Sequence, residues 1–167
     1  PAEHAIRGFH GISLLLKDAA PTGAILTDVL GFADAGEDGG LTRFKAESPM
    51  GGIVDIRAAG EFLPARMGAG SVHHIAFRAA DDETQRAMVE KLARHHRIGT
   101  TEQIDRNYFR SVYFREPGGV LFEVATDEPG FAVDEPAAEL GRSLKLPPFL
   151  ETRRTEIEAM LPPLDAS

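Results

Sequence analysis

Apolar positions along the first sixty residues switch between two rhythms. Residues 5–16 read as a strand that ends at Lys17-Asp18. Residues 19–30 then take helical spacing, with Ala24, Leu26, Val29 and Leu30 on one face. Pro21 suits the first turn of that helix and Gly31 stops it. Residues 32–35, 41–46 and 52–58 read as strands separated by Gly-rich turns. Residues 59–70 read as a linker.

The same order then returns. Residues 71–79 predict a strand, and Asp81-Asp82 opens a helix that runs to about His95. Acidic residues at its start and His95, His96 and Arg97 at its end complement the helix dipole. Strands are predicted over 99–104, 111–115 and 120–125. Asp18 and Asp81, 63 residues apart, both end first strands, and Gly51-Gly52 and Gly118-Gly119 both precede last strands. The chain is therefore predicted to be α+β, with tandem βαβββ modules over 1–62 and 63–126 forming a curved mixed sheet with outer helices. The tail, 127–167, breaks the pattern. After Pro147-Pro148, residues 149–161 space Leu150, Ile157 and Leu161 as the apolar stripe of a packing helix.

Composition narrows the chemistry. The 167 residues are 43% hydrophobic and 26% charged, as in ordinary soluble globular domains. There is no cysteine, so disulfides and thiolate metal sites are excluded and any metal must be held by His, Asp or Glu. The formal net charge of −8 argues against a nucleic-acid partner, which needs a basic face. No apolar run reaches membrane-spanning length and no signal-peptide pattern opens the chain, so a cytoplasmic protein without a membrane partner is expected. The chain opens at Pro1 without methionine, as expected of a processed product or of part of a longer polypeptide.

Strand alternation then sorts the candidate residues. On the 71–79 strand, Ile75 and Phe77 belong to the helix side and His74, Ala76 and Arg78 to the other. On the last strand, Phe122 and Val124 oppose Leu121, Glu123 and Ala125. Tyr113, with Ser111 and Arg115, joins His74 and Glu123 on the concave face. A histidine and a glutamate on one face make two thirds of a 2-His-1-carboxylate site, which leaves positions open on a non-haem Fe(II) for O2 and substrate. The bland alternative makes His74 a hydrogen-bonded core histidine and Glu123 an ion-pair partner of Arg115 or Arg78. In a regular strand His73 points away from His74, so the two cannot share a metal without a bulge; at the pocket rim His73 would shuttle protons. Arg106, in the loop before the Tyr113 strand, is placed to hold an anionic oxygen. His10 is a tempting third ligand, but the 63-residue offset puts Gly11 opposite His74 and His10 on the other face. Asp55 is a weaker candidate, since aligning the Gly-Gly pairs puts Ile56 opposite Glu123. His95-His96 reads as a helix end, and His4 as part of a leader.

These residues look familiar as a set. Gly70-Ser71-Val72-His73-His74-Ile75-Ala76-Phe77, Ile104-Asp105-Arg106, Tyr113-Phe114-Arg115-Glu116 and Gly119-Val120-Leu121-Phe122-Glu123-Val124-Ala125-Thr126-Asp127 resemble the vicinal oxygen chelate superfamily. With Pro129-Gly130-Phe131 and Leu146-Pro147-Pro148-Phe149-Leu150-Glu151, the chain more closely resembles the C-terminal half of the dioxygenases that open hydroquinone-type rings. The resemblance implies His74 and Glu123 as Fe(II) ligands, with Mn, Zn or Ni as other metals the fold uses. It implies His73, Arg106 and Tyr113 as groups that orient a small aromatic diol and move protons while O2 is inserted. In that family the third ligand, a histidine, comes from an N-terminal half, so a missing half, a partner chain or a homodimer is expected to complete the site. A glyoxalase-like isomerase or lyase, and a non-catalytic ligand-binding module, are the alternatives on the same fold.

Overall fold

The computed structural model describes residues 2–60 and 68–162. The first module contains β1 (Gly11–Leu16), α1 (Ala20–Asp28), β2 (Ala33–Asp38), β3 (Leu41–Lys45) and β4 (Ile53–Ala58). The second contains β5 (Ile75–Ala79), α2 (Asp82–His96), β6 (Ile104–Asp105), β7 (Arg110–Arg115) and β8 (Leu121–Thr126). Each builds a four-stranded mixed sheet, in the orders β1-β4-β3-β2 and β5-β8-β7-β6. In both, the first strand pairs in parallel with the last, and the last pairs antiparallel with the third. The expected boundary between modules falls at 62/63, outside the described residues.

Local chemistry sets the helix ends. Asp81 accepts a hydrogen bond from the Thr84 N–H at 2.8 Å, capping α2, and Arg97 closes it in the left-handed region. The Asp18 carboxylate accepts from the Ala20 N–H at the start of α1. Gly23 lets α1 lie close on its sheet, because a Cβ there would come within 2.5 Å of the Phe44 ring.

The helix-facing residues of both sheets fuse into one core. Leu14, Val54 and Ile56 meet Ile25 and Leu26 on one side, and Phe77, Phe114 and Phe122 meet Leu92 on the other. Phe32 and Phe77 touch edge-to-face across the modules, with centroids 5.9 Å apart. Polar groups join them as well. The Thr22 hydroxyl donates to the buried Glu116 carboxylate, which also accepts the Gly118 and Val120 N–H groups. Gln85, buried under α2, donates to the carbonyls of Arg110 and Val124 and ties that helix to β7 and β8.

Four elements differ from their sequence patterns. The first strand starts at Gly11, not residue 5, since Phe9 offers only its carbonyl, to Gly51. The strand expected from 71 begins at Ile75, which leaves His73 and His74 outside the ladder. The one expected over 99–104 shrinks to Ile104–Asp105. Upstream, Thr101 donates its N–H to the Tyr113 carbonyl, but its side-chain Oγ1, not its backbone, accepts the Tyr113 N–H. The tail helix splits into a 3-10 stretch, Pro148–Arg153, and α3, Arg154–Met160, in which no residue is buried.

Candidate metal centre

β8 is a central strand, so its outward side chains have neighbours on both flanks. Glu123 stands opposite Ala76 of β5 and Tyr113 of β7. Its carboxylate lies on the face away from α2 and is only 3% exposed. His74, one residue before β5, turns its ring onto the same face, and its Nε2 lies 2.8 Å from Glu123 Oε2. Neither alternative partner reaches Glu123. Arg78 pairs with Asp127 through two hydrogen bonds of 2.8 and 2.9 Å, and Arg115 donates to the Gly119 carbonyl.

The other three residues singled out in the sequence surround this pair. The Nδ1 atoms of His73 and His74 are 2.8 Å apart, so one ring donates its N–H to the other. The expected opposition of the two rings fails because they precede the strand, where alternation does not apply. Tyr113 meets the His74 ring edge-on at 5.7 Å between centroids. Arg106 lies 5.9 Å from the centre of the Tyr113 ring, with Nη2 3.5 Å from its hydroxyl. Ser111, on the same sheet face, has the one buried side-chain oxygen among the described residues that lacks a hydrogen-bond partner.

The donor set suits a divalent cation. Bonds of roughly 2.1 Å at a right angle would place two donor atoms about 3 Å apart, close to the separation of the His74 nitrogen and the Glu123 oxygen. Nitrogen and carboxylate oxygen together match the ligand types of non-haem iron, manganese, zinc and nickel. No group of three or more His, Asp or Glu side chains able to hold a metal occurs among the described residues.

The first module places different side chains at the same positions. Its register places Ser13 opposite Asp55 and Asp55 opposite Arg43, matching Ala76, Glu123 and Tyr113. Asp55, not Ile56, is therefore the counterpart of Glu123. The two Gly-Gly pairs mislead because the run from Gly119 to Glu123 is one residue longer than that from Gly52 to Asp55. Arg43 forks onto Asp55 with two 2.7 Å hydrogen bonds and holds that carboxyl below the usual carboxylate range. Gly11 takes the His74 place, and a Cβ there would meet the Ile53 carbonyl oxygen at 2.7 Å. His10 is exposed and lines a hollow of about 300 Å³ with Phe9, Lys45 and Met50.

Two features of the second module escaped sequence reasoning. Asp28 accepts from both His95 and His96, so the helix-end pair joins α2 to α1. The Tyr108 and Phe131 rings stack beside Arg106. The first had no signal beyond the basic end of α2. The second was visible only as the Pro129-Gly130-Phe131 piece of the family resemblance, with no structural role attached.

Comparison with known proteins agrees with this architecture. Residues 8–124 match the family model of the Glyoxalase/Bleomycin resistance protein/Dioxygenase superfamily. MhqO of Bacillus subtilis, which carries the name of a ring-cleaving dioxygenase, is 42% identical over 161 residues, covering 96% of this chain and 51% of MhqO. A chlorohydroquinone/hydroquinone 1,2-dioxygenase of Sphingobium indicum is 31% identical over 160 residues, covering 94% of this chain and 50% of its own length. The chain thus spans about half the length of these relatives. A crystal structure from Bacillus subtilis, titled as a dioxygenase, superposes with a TM-score of 0.84 at 41% identity, over 98% of this chain and 52% of that one. The fosfomycin resistance protein FosX of Mesorhizobium loti shares the fold alone, with a TM-score of 0.56 at 24% identity over 73% of this chain and 93% of its own. No helix among the described residues is long and apolar enough to cross a membrane. Paired modules with parallel first and last strands, and a family match over most of the length, make this chain a member of the glyoxalase/bleomycin resistance protein/dioxygenase superfamily.

Proposed function

We propose that this chain is the metal-binding half of a ring-cleaving dioxygenase that acts on dihydroxylated aromatic rings of the hydroquinone or catechol type. The observation that carries the reading is the 2.8 Å approach of His74 Nε2 to the buried Glu123 carboxylate. The names of the relatives, one of them a hydroquinone dioxygenase, support the substrate class.

His74 and Glu123 would hold the cation, Fe(II) in the first instance. Bound there, iron supplies a Lewis acid and a template for diol and dioxygen. His73 fixes the orientation of the His74 ring through their Nδ1 atoms, as outer partners of metal-bound histidines do. With its Nδ1 accepting the His74 N–H, neutral His73 carries its own proton on Nε2, which is suited to donate to a substrate oxygen. The Tyr113 hydroxyl donates to a substrate oxygen. Arg106, beside that hydroxyl, balances the negative charge left when the diol loses a proton.

The third ligand comes from outside this chain, from an N-terminal half, a separate partner or a second copy. Anaerobic Fe(II) titration tests this. The chain alone is expected to bind iron at micromolar affinity or weaker, and His74→Ala or Glu123→Ala to abolish that binding. Submicromolar affinity of the isolated chain would overturn the outside-ligand reading. Iron binding unchanged in both variants would overturn the site.

A further inference from the structure

The Thr-Asp-x-Pro-Gly-Phe motif has no part in the chemistry proposed above, yet it packs against the loop that carries Arg106. That loop, residues 106–109, joins β6 to β7. Its ladder support is short: β6 offers two ladder residues, Ile104 opposite Ser111 and Asp105 opposite Arg110, on an edge strand. Asn107 sits at a φ of 66°, in the left-handed region, held by its N–H donating to the Asp105 carboxylate.

The segment after β8 holds the loop from the other side. The Gly130 N–H donates to the Tyr108 carbonyl at 2.9 Å. The Phe131 ring stacks on Tyr108 at 5.1 Å and 27°. The Tyr108 hydroxyl donates to Asp134 at 3.1 Å, and desolvation with this bond raises the phenol above its ordinary pKa. The Thr126 hydroxyl accepts the Arg110 N–H at the loop's far end. Within the loop, the Arg106 N–H donates to the Phe109 carbonyl and the Tyr108 N–H donates to the Arg106 carbonyl. The residue gripped from outside is thus hydrogen-bonded directly to Arg106.

We propose that residues 126–134 form a clasp in which Phe131, Gly130 and Asp134, acting through Tyr108, position Arg106 over Tyr113. These are positioning residues. The functional importance of the clasp rests on the role given to Arg106 above, but its mechanical part stands on the packing alone. Phe131 is 61% exposed, although it is the stacking partner. An exposed aromatic side chain that adds little to a core is available for such a task.

The test uses metal-free chain, so it is decided independently of whether iron or a diol binds. In ¹⁵N relaxation, the amides of Arg106 and Tyr108 should have order parameters of about 0.8 in the unaltered chain and fall below about 0.6 in Phe131→Ala. Cross-relaxation between the Arg106 side chain and the Tyr113 ring protons should vanish in the same variant. Phe131→Tyr, which keeps the stack, should restore both signals, whereas Phe131→Leu, which keeps only apolar bulk, should not. Tyr108→Phe, which keeps the ring and loses the Asp134 bond, should fall between. An unchanged Arg106–Tyr113 signal in Phe131→Ala, or rescue by leucine equal to that by tyrosine, would overturn the clasp. A failed iron titration with a positive clasp result would locate the error in the dioxygenase reading.

Discussion

Gly11 shows how little room the first module leaves at the position that His74 fills in the second. It occupies the first-module counterpart of His74, and a Cβ there would press within 2.7 Å of the Ile53 carbonyl oxygen. Parallel pairing of β1 with β4 cannot relax this contact without shifting the register. Gly11→Ala is expected to cost about 1–3 kcal/mol, as overpacking usually does, read from urea denaturation midpoints. Gly11→His should destabilise at least as much and create no iron-binding site in the first module, because Arg43 already occupies Asp55. The same scale explains what could be read ahead of the fold. Glu123 and Tyr113 were legible as neighbours on one sheet face because strand alternation is a local property, whereas His74, which precedes the ladder, was legible by residue type alone. The contact between His73 and His74 was not, because the ladder starts at Ile75, a boundary set by pairing with β8.

At the scale of elements, α1 and α2 are tied together at Asp28. Asp28 accepts from His95 at 2.9 Å and His96 at 3.0 Å, and Lys91 donates to its backbone carbonyl. The two histidine hydrogen bonds hold the Asp28 carboxyl below its ordinary value of 3.8. A lowered carboxyl contributes stability that is fully present above the unfolded value and is lost as pH falls through the lower folded value. Asp28→Asn should therefore be less stable than the unaltered chain at pH 7. The gap should close as pH drops below about 3.8, measured by denaturant melts across that range. A gap that persists at the lowest pH would show that Asp28 acts by packing. The spacing of His95 and His96 placed them at a helix end, but their partner lies in the other module, where no local pattern points.

For the whole molecule, the two modules share one core. Phe122, fully buried in β8, touches Phe77 at 4.9 Å and Phe114 at 5.7 Å, and Phe77 in turn meets Phe32 of the first module. Phe122→Ala should cost about 3–5 kcal/mol and lower the urea midpoint of a single transition that both modules follow. Two separable transitions, with only the second shifted, would show that the modules fold apart. The tail stands outside this core, with Phe149, Met160 and Leu161 exposed.

By itself the sequence determined the α+β class and the repeated βαβββ order, because strand and helix periods are written into neighbouring positions. Only the tertiary structure decided that His74 reaches Glu123, that Asp55 and not Ile56 answers to Glu123, and that Phe131 grips the Arg106 loop. The Asp55 correspondence depends on strand register, where a shift of one residue moves a side chain to the opposite face, and the other two depend on where the chain leaves the ladder.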